Sequence, residues 1–151
     1  MREILFRGKS LKDNEWTEGY YCQYGWAGKE KDYIIPDYAS ALYGIEVESN
    51  TIGQFTGLTD KNGIKIFEGD ILQGDEYPYC SDGDYNYYAE VVWFDNGCCG
   101  FGLCTHKNPK SSVRGISDGN CDWFEDFDSN KWLVIGNIYD NQELVRGEAD
   151  E

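Results

Sequence analysis

The sequence predicts a mostly-β fold of short antiparallel strands, arranged as a sandwich or small barrel or pseudo-barrel, with long loops and little helix. Three observations predict it. Tyrosine, phenylalanine and tryptophan (12, 7 and 5 residues) make 16% of the chain, beside 18 glycines; aromatic rings suit a pleated, half-buried surface and glycines serve its turns. Short strand-like runs recur along the chain with turn residues between them. No segment carries the apolar period of a long amphipathic helix.

The elements follow in order. Glu3–Arg7, Glu15–Tyr24, Tyr33–Ile35 and Tyr43–Val47 read as strands. Thr51–Leu58 passes through Asp60-Lys61-Asn62-Gly63 into Ile64–Phe67, a hairpin of open register: a two-residue loop pairs Asp60 with Lys65 and Leu58 with Phe67, and a four-residue loop shifts both. Glu68-Gly69-Asp70 turns the chain into Ile71–Gln73. Tyr88–Phe94 and Cys98–Leu103 flank Asn96-Gly97, the preferred pair for a two-residue turn needing two positive φ angles. Counting back from that turn pairs Phe94 with Cys99 and Val92 with Phe101 as a core stripe. On the other face it sets Trp93 against Gly100 and Val91 against Gly102. Trp132–Tyr139 is nearly continuous in apolar residues, the pattern of a strand covered on both faces by the domain or by another subunit. Asp140–Leu144 caps one short helical turn. A single domain therefore spans residues 1–145, and residues 146–151 form a polar, frayed tail.

The formal charge is −15, from 28 acidic and 13 basic residues, so nonspecific attraction to nucleic acid is disfavoured. The one cationic cluster, Lys107, Lys110 and Arg114 with His106 beside it, reads as a solvated loop ahead of a phosphate contact. Met1–Lys9 lacks a signal-peptide core, and no stretch approaches the ~20 apolar residues of a membrane helix. These features predict a cytoplasmic protein, away from membranes, whose six cysteines are reduced.

Several motifs invite chemistry. Gly115-Ile116-Ser117-Asp118-Gly119 fits the G-x-S-x-G pattern, but no strand and helix flank it and the only histidine, His106, lies upstream. Cys98, Cys99, Cys104, His106 and Cys121 suggest zinc, yet only Cys104 and His106 form a local pair; buried small hydrophobes are the simpler reading. Asp82, Asp84 and Asn86, like Asp118, Asn120 and Asp122, alternate as in a calcium loop. Tyr87 and Trp123 stand where such a loop needs glycine, and Trp93 and Ser129 where it needs glutamate. Gly97–Gly102 is glycine-rich but precedes no helix that could receive phosphate. No catalytic residue, metal ligand or cofactor is nominated. Asp118–Asp128 holds five acids and no base, interleaved with rings. It reads as an exposed loop or as a docking surface formed by Trp123, Phe124 and Phe127 with Asp122, Glu125 and Asp126.

Three blocks carry a family likeness: Arg2–Lys9, Ile52–Ile71, and Val134–Asn141 followed by Glu143-Leu144. Together they resemble the YopX family of phage and prophage proteins, and the long middle block is the most specific. The resemblance implies a phage or prophage origin, a β-rich fold with an SH3-like barrel component, and self-association; it implies no reaction. Asp75–Tyr87 and Thr105–Asn130 depart from the family pattern as elongated loops. The expected function is a non-enzymatic accessory protein of the host cytoplasm, a homo-oligomer acting through protein–protein contacts, with a basic host or phage protein as a further partner. One alternative is an acidic nucleic-acid mimic that occupies a host DNA-binding protein. Another is a small metal- or carboxylate-dependent enzyme.

Overall fold

The computed structural model describes residues 2–39, 43–80, 85–95, 99–111, 121–124 and 127–146. Its strands are β1 (Phe6–Lys9), β2 (Trp16–Tyr24), β3 (Lys31–Pro36), β4 (Ile45–Glu46), β5 (Gly53–Thr59), β6 (Lys65–Phe67), β7 (Asp70–Gly74), β8 (Tyr87–Phe94), β9 (Gly100–Lys107), β10 (Cys121–Trp123) and β11 (Trp132–Asn137), followed by the single turn of helix α1 (Glu143–Arg146). They form two antiparallel sheets, ordered β4-β3-β2-β1-β5-β6 and β10-β9-β8-β7-β11. The mostly-β expectation therefore holds, and neither sheet closes into a barrel. The chain divides into two compact units, residues 1–57 and 58–151.

In the first unit Leu5, Ile34, Val47 and Phe55 are buried. β1 packs tightly on this core, since a Cβ at Gly8 would come within 2.9 Å of Val47 Cγ2. β2 pairs with β1 on one side and β3 on the other; Gly19 stands opposite both Phe6 and Pro36. Ser10 and Val47 make an isolated bridge, flanked by hydrogen bonds from Glu48 N to Lys9 O and from Leu11 N to Glu46 O.

In the second unit Ile66, Leu72, Ala89, Val91 and Leu103 form one cluster, and Leu58, Tyr79, Phe124, Phe127, Trp132 and Val134 pack on it. The β8–β9 register corrects the sequence reading. Phe94 stands opposite Gly100, Trp93 opposite Phe101, Val92 opposite Gly102 and Val91 opposite Leu103. That is one residue away from the alignment counted from Asn96-Gly97, and a one-residue slip exchanges the faces of a strand. The core stripe is Tyr87, Ala89 and Val91 against Leu103 and Thr105, not Val92 and Phe94. Pairing with β7 through Ile71↔Glu90 and Leu72↔Ala89 puts this stripe beside buried Leu72 and so fixes the faces. The Asn96-Gly97 turn itself lies outside the described residues.

The Asp60–Ile64 turn also differs from both expected alignments. Gly63 N donates to Asp60 O, and Asp60 N donates to Ile64 O at 2.9 Å. This is a three-residue loop, and Gly63 takes its left-handed position with φ of 78°. Gly57 and Gly69 likewise have positive φ, and a Cβ at Gly136 would meet Asn141 Oδ1 at 2.5 Å. Gly63 and Gly69 are thus at turns and Gly136 at a close approach, as their sequence context suggests, whereas Gly57 lies inside β5 with nothing within 4 Å of an added Cβ and is at neither.

β11 is the sheet's edge strand, half-buried from Trp132 to Gly136 rather than covered on both faces. Its pairing with β7 slips between Val134 and Gly136, leaving Ile135 as the extra residue of a bulge. The side of β11 facing away from β7 is occupied: Lys61 N donates to Trp132 O at 3.0 Å and Val134 N donates to Asp60 Oδ2 at 3.0 Å. A loop thus covers an edge that would otherwise be open to strand addition.

Candidate interaction surfaces

The polar residues of the family-like blocks hold backbone. Asp60 is 3% exposed, and its Oδ1 accepts from Asn62 N and Ile64 N, both at 2.9 Å, while Oδ2 takes Val134 N. Asp70, 1% exposed, accepts from Phe67 N at 2.8 Å through Oδ2. Asn137 Oδ1 accepts from Tyr139 N and Asp140 N, and its own N–H donates to Asn141 Oδ1. A carboxylate or amide oxygen that accepts backbone N–H groups in a buried place is a structural acceptor, because those donors would otherwise be buried without partners. Asp60 and Val134, from two different blocks, meet here.

The acidic-aromatic segment is distributed between core and surface. Asp122 is exposed and pairs in register with Leu103. Phe124 and Phe127 are half-buried, their ring centroids 5.1 Å apart. Phe127 stacks on Trp132 at 5.9 Å, and Trp132 meets Tyr79 edge-on at 4.9 Å. Both phenylalanines thus turn toward the Ile66–Leu103 cluster. The Trp123 side chain, Glu125 and Asp126 lie outside the described residues.

The thiols correct the expectation of six reduced cysteines. Cys121 stands directly opposite Cys104 in the β9–β10 pairing, Cα atoms 4.1 Å apart, and the two form a disulfide. Neither is then a zinc ligand. His106 Nε2 bonds Glu90 Oε1 at 2.9 Å instead. Mass spectrometry after alkylation, with and without prior reduction, should find two more labelled thiols in the reduced sample, on the peptides bearing Cys104 and Cys121. Closing a loop of this span stabilises by about 3 kcal/mol. The Cys104→Ser/Cys121→Ser pair should therefore lower the denaturant midpoint. Among the described residues no group of three or more His, Cys, Asp or Glu could hold a metal, and no helix is long and apolar enough to cross a membrane. Of the calcium-like runs only Asn86 and Asp122 are described; Asn86 Oδ1 accepts from Ser111 Oγ. Ser117 and Arg114 lie outside the described residues.

The first unit contains a buried carboxylate, Asp32, that takes hydroxyl hydrogen bonds from Ser49 and Tyr21. The Ser49 bond first and the Tyr21 bond second hold the Asp32 carboxyl below its ordinary value. The same bond to Asp32, reinforced by burial and then by the Asp32 charge, pushes the Tyr21 phenol up to about 12. The signs are opposite in protonation but alike in origin. The Asp32 contribution is present above the ordinary carboxyl value near ~4 and is lost as pH falls through its lower folded value. The Tyr21 contribution is full below ~10 and is lost as pH rises toward 12. Tyrosinate absorbance should show late-titrating phenols, since burial also pushes Tyr79 and Tyr88 up, and Asp32→Asn should return only the Tyr21 share toward the ordinary range.

Sequence reasoning did not single out the exposed rings. Tyr20, Tyr24, Trp26, Tyr38 and Tyr43 are 56%, 75%, 84%, 88% and 69% exposed, all in the first unit. The first two sit four residues apart on one face of β2. Trp26 lies in the turn between Gly25 and Gly28, and that placement was a readable signal.

The match to the YopX protein family model covers residues 5–146. The chain belongs to the YopX family. Among solved structures it is similar to the crystal structure of protein EF1440 from Enterococcus faecalis, at 23% identity over 96% of this chain and 99% of that one, with a TM-score of 0.47. No curated protein matches the chain.

Proposed function

We propose that this YopX-family chain is a non-enzymatic phage or prophage accessory protein of the host cytoplasm that self-associates and acts through protein–protein contacts. One observation carries the reading: the first unit leaves five large rings more than half exposed. Exposed aromatic side chains bring large apolar area at low entropic cost, which is why they dominate interface energetics. The Ser10–Val47 bridge, which joins the chain after β1 to the chain after β4, supports an SH3-like description of that unit. The occupied outer side of β11 directs association to ring-bearing faces rather than to that strand edge. Sedimentation velocity at tens of micromolar should show a dimer or larger species, and Tyr20→Ala/Tyr24→Ala should shift it toward monomer. A clean monomer across that range would remove self-association.

Charge distribution favours a second reading. Residues 58–151 carry 19 acidic and 7 basic residues, against 9 and 6 in residues 1–57. A surface so negative can imitate nucleic acid toward a basic host protein. Duplex DNA should then compete for a DNA-binding protein captured from host lysate, in a salt-sensitive way. Capture that duplex DNA leaves unchanged would count against mimicry.

A further inference from the structure

We propose that Cys104 and Cys121 form a thiol–disulfide exchange site that takes a dithiol as its ligand, with Cys121 as the sulfur attacked and His106, oriented by Glu90, stabilising the Cys104 thiolate. The strand register brings these four residues to one face. Cys121 stands opposite Cys104 across β9 and β10, and Glu90 stands opposite Cys104 across β8 and β9. His106 follows Cys104 by two residues on β9, so both side chains leave the sheet on the same side. His106 itself stands opposite Tyr88, yet its Nε2 bonds Glu90 Oε1 at 2.9 Å. The imidazole therefore leans along β9 from its own row into the Cys104 row. Leu103 and Thr105, which point to the other face, are buried in the core.

Burial separates the two sulfurs. Cys121 is exposed on β10, the last strand of its sheet, whereas Cys104 is half-buried on β9, between β10 and β8. An incoming thiolate therefore meets the outer sulfur. It attacks Cys121 Sγ, an S–S bond to the ligand forms, the Cys104–Cys121 bond breaks, and Cys104 leaves as a thiolate. A stabilised leaving thiolate speeds exchange, and a neighbouring imidazolium stabilises it by charge. A carboxylate only accepts, so Nε2 carries the hydrogen of the bond to Glu90, and Nδ1 is left to take up the proton that makes the imidazolium. The ligand's second thiolate then attacks the ligand sulfur of the mixed disulfide and expels Cys121 as a thiolate. The two protein thiolates take up the two protons that the dithiol lost, so the ligand is oxidised by two electrons and the protein pair is reduced by two. A dithiol is favoured over a monothiol because its second attack is intramolecular. In the host cytoplasm of the proposed function, an exposed cross-link of this kind is a transient or sensing element. The exchange is stoichiometric and does not depend on self-association, so the two can fail separately.

The test follows reduction of the oxidised full chain by dithiothreitol at neutral pH, quenched by alkylation and mapped by peptide mass spectrometry. Without denaturant the rate should rise in proportion to dithiothreitol and stay within about tenfold of the rate in denaturant. At equal thiol concentration β-mercaptoethanol should convert the pair to two free thiols at least tenfold more slowly. His106→Ala should slow native reduction at least fivefold. Glu90→Ala should slow it similarly, while Glu90→Gln, which keeps an acceptor for Nε2–H, should retain most of the rate. Unfolding would speed reduction, so slowing in these variants cannot come from lost structure, and in denaturant all should react alike. For the direction of attack, oxidised β-mercaptoethanol should form a mixed disulfide at Cys121 of Cys104→Ser at least tenfold faster than at Cys104 of Cys121→Ser. Native reduction more than a hundredfold slower than in denaturant would make the cross-link a permanent staple and overturn the proposal. So would an air-oxidised chain without the cross-link, a monothiol as effective as the dithiol, faster reaction at Cys104, or a rate indifferent to His106→Ala.

Discussion

Asp60→Ala should destabilise the second unit by about 4 kcal/mol, enough to lower its melting temperature by roughly 10 °C or more. The carboxylate is 3% exposed and is an acceptor for three backbone N–H groups, those of Asn62, Ile64 and Val134. Hydrogen bonds to a charged acceptor contribute about 1.5–3 kcal/mol each, and donors left without a partner add desolvation cost. The loss is large beside a total stability of about 5–15 kcal/mol. Hydrogen exchange at Ile64 and Val134 should rise together, because one side chain joins the turn to the edge strand. Asp60→Asn separates the two halves of the effect. A single amide oxygen can serve the turn donors or Val134, but its NH2 group then faces an N–H. About half the destabilisation should remain. An Asp60→Ala protein with wild-type stability would mean that the buried carboxylate is a functional group held in place by other contacts.

The same residue shows what the sequence made legible. The Asp60-Lys61-Asn62-Gly63 and Glu68-Gly69-Asp70 turns were readable from the sequence, and Gly63 and Gly69 take the positive φ that such turns need. What the turn residues could not supply was loop length. Asp60-Lys61-Asn62-Gly63 supports two-, three- and four-residue loops locally, and the Asp60 bond to Val134, across 74 residues, helps select one. For the β8–β9 hairpin the deciding partner was β7, whose buried Leu72 places Ala89 inward. Asn-Gly favours a turn but cannot outweigh a strand's worth of buried side chains. β10 escaped notice because three residues, Cys121-Asp122-Trp123, are too few to show alternation. Its disulfide escaped because six cysteines allow many pairings, and compartment reasoning argued for none. The surface aromatics were invisible for a further reason: alternation tells which residues share a face, not which face meets water. Tyr20 and Tyr24 share one face of β2 with Trp16, yet Trp16 is partly covered by the Arg7 guanidinium at 4.5 Å while the tyrosines stay exposed.

Gly19→Ala tests whether the first unit's sheet tolerates any displacement, and it is expected to cost more than about 3 kcal/mol. An added Cβ would lie 2.1 Å from Ile35 O, 2.7 Å from Ile35 C and 2.9 Å from Pro36 Cα. All three atoms are backbone, so no rotamer change relieves the overlap, and β3 must move away from β2. β3 is held from both sides, by β2 and by β4, and it carries buried Asp32, Ile34 and Pro36. Moving it loosens the Asp32 carboxylate from the Tyr21 and Ser49 hydroxyls, so the late Tyr21 titration near 12 should fall back toward the ordinary phenol range. Gly28→Ala is the matched comparison. Its φ of 83° strains an alanine, but a Cβ there has no neighbour within 4 Å, so only the conformational penalty of about 1 kcal/mol should appear and Tyr21 should titrate as before. Equal losses for the two substitutions would mean that β3 yields freely. Unequal losses, with the late Tyr21 titration abolished only in Gly19→Ala, would identify close backbone approach at Gly19 as what fixes Asp32 and Pro36 in β3.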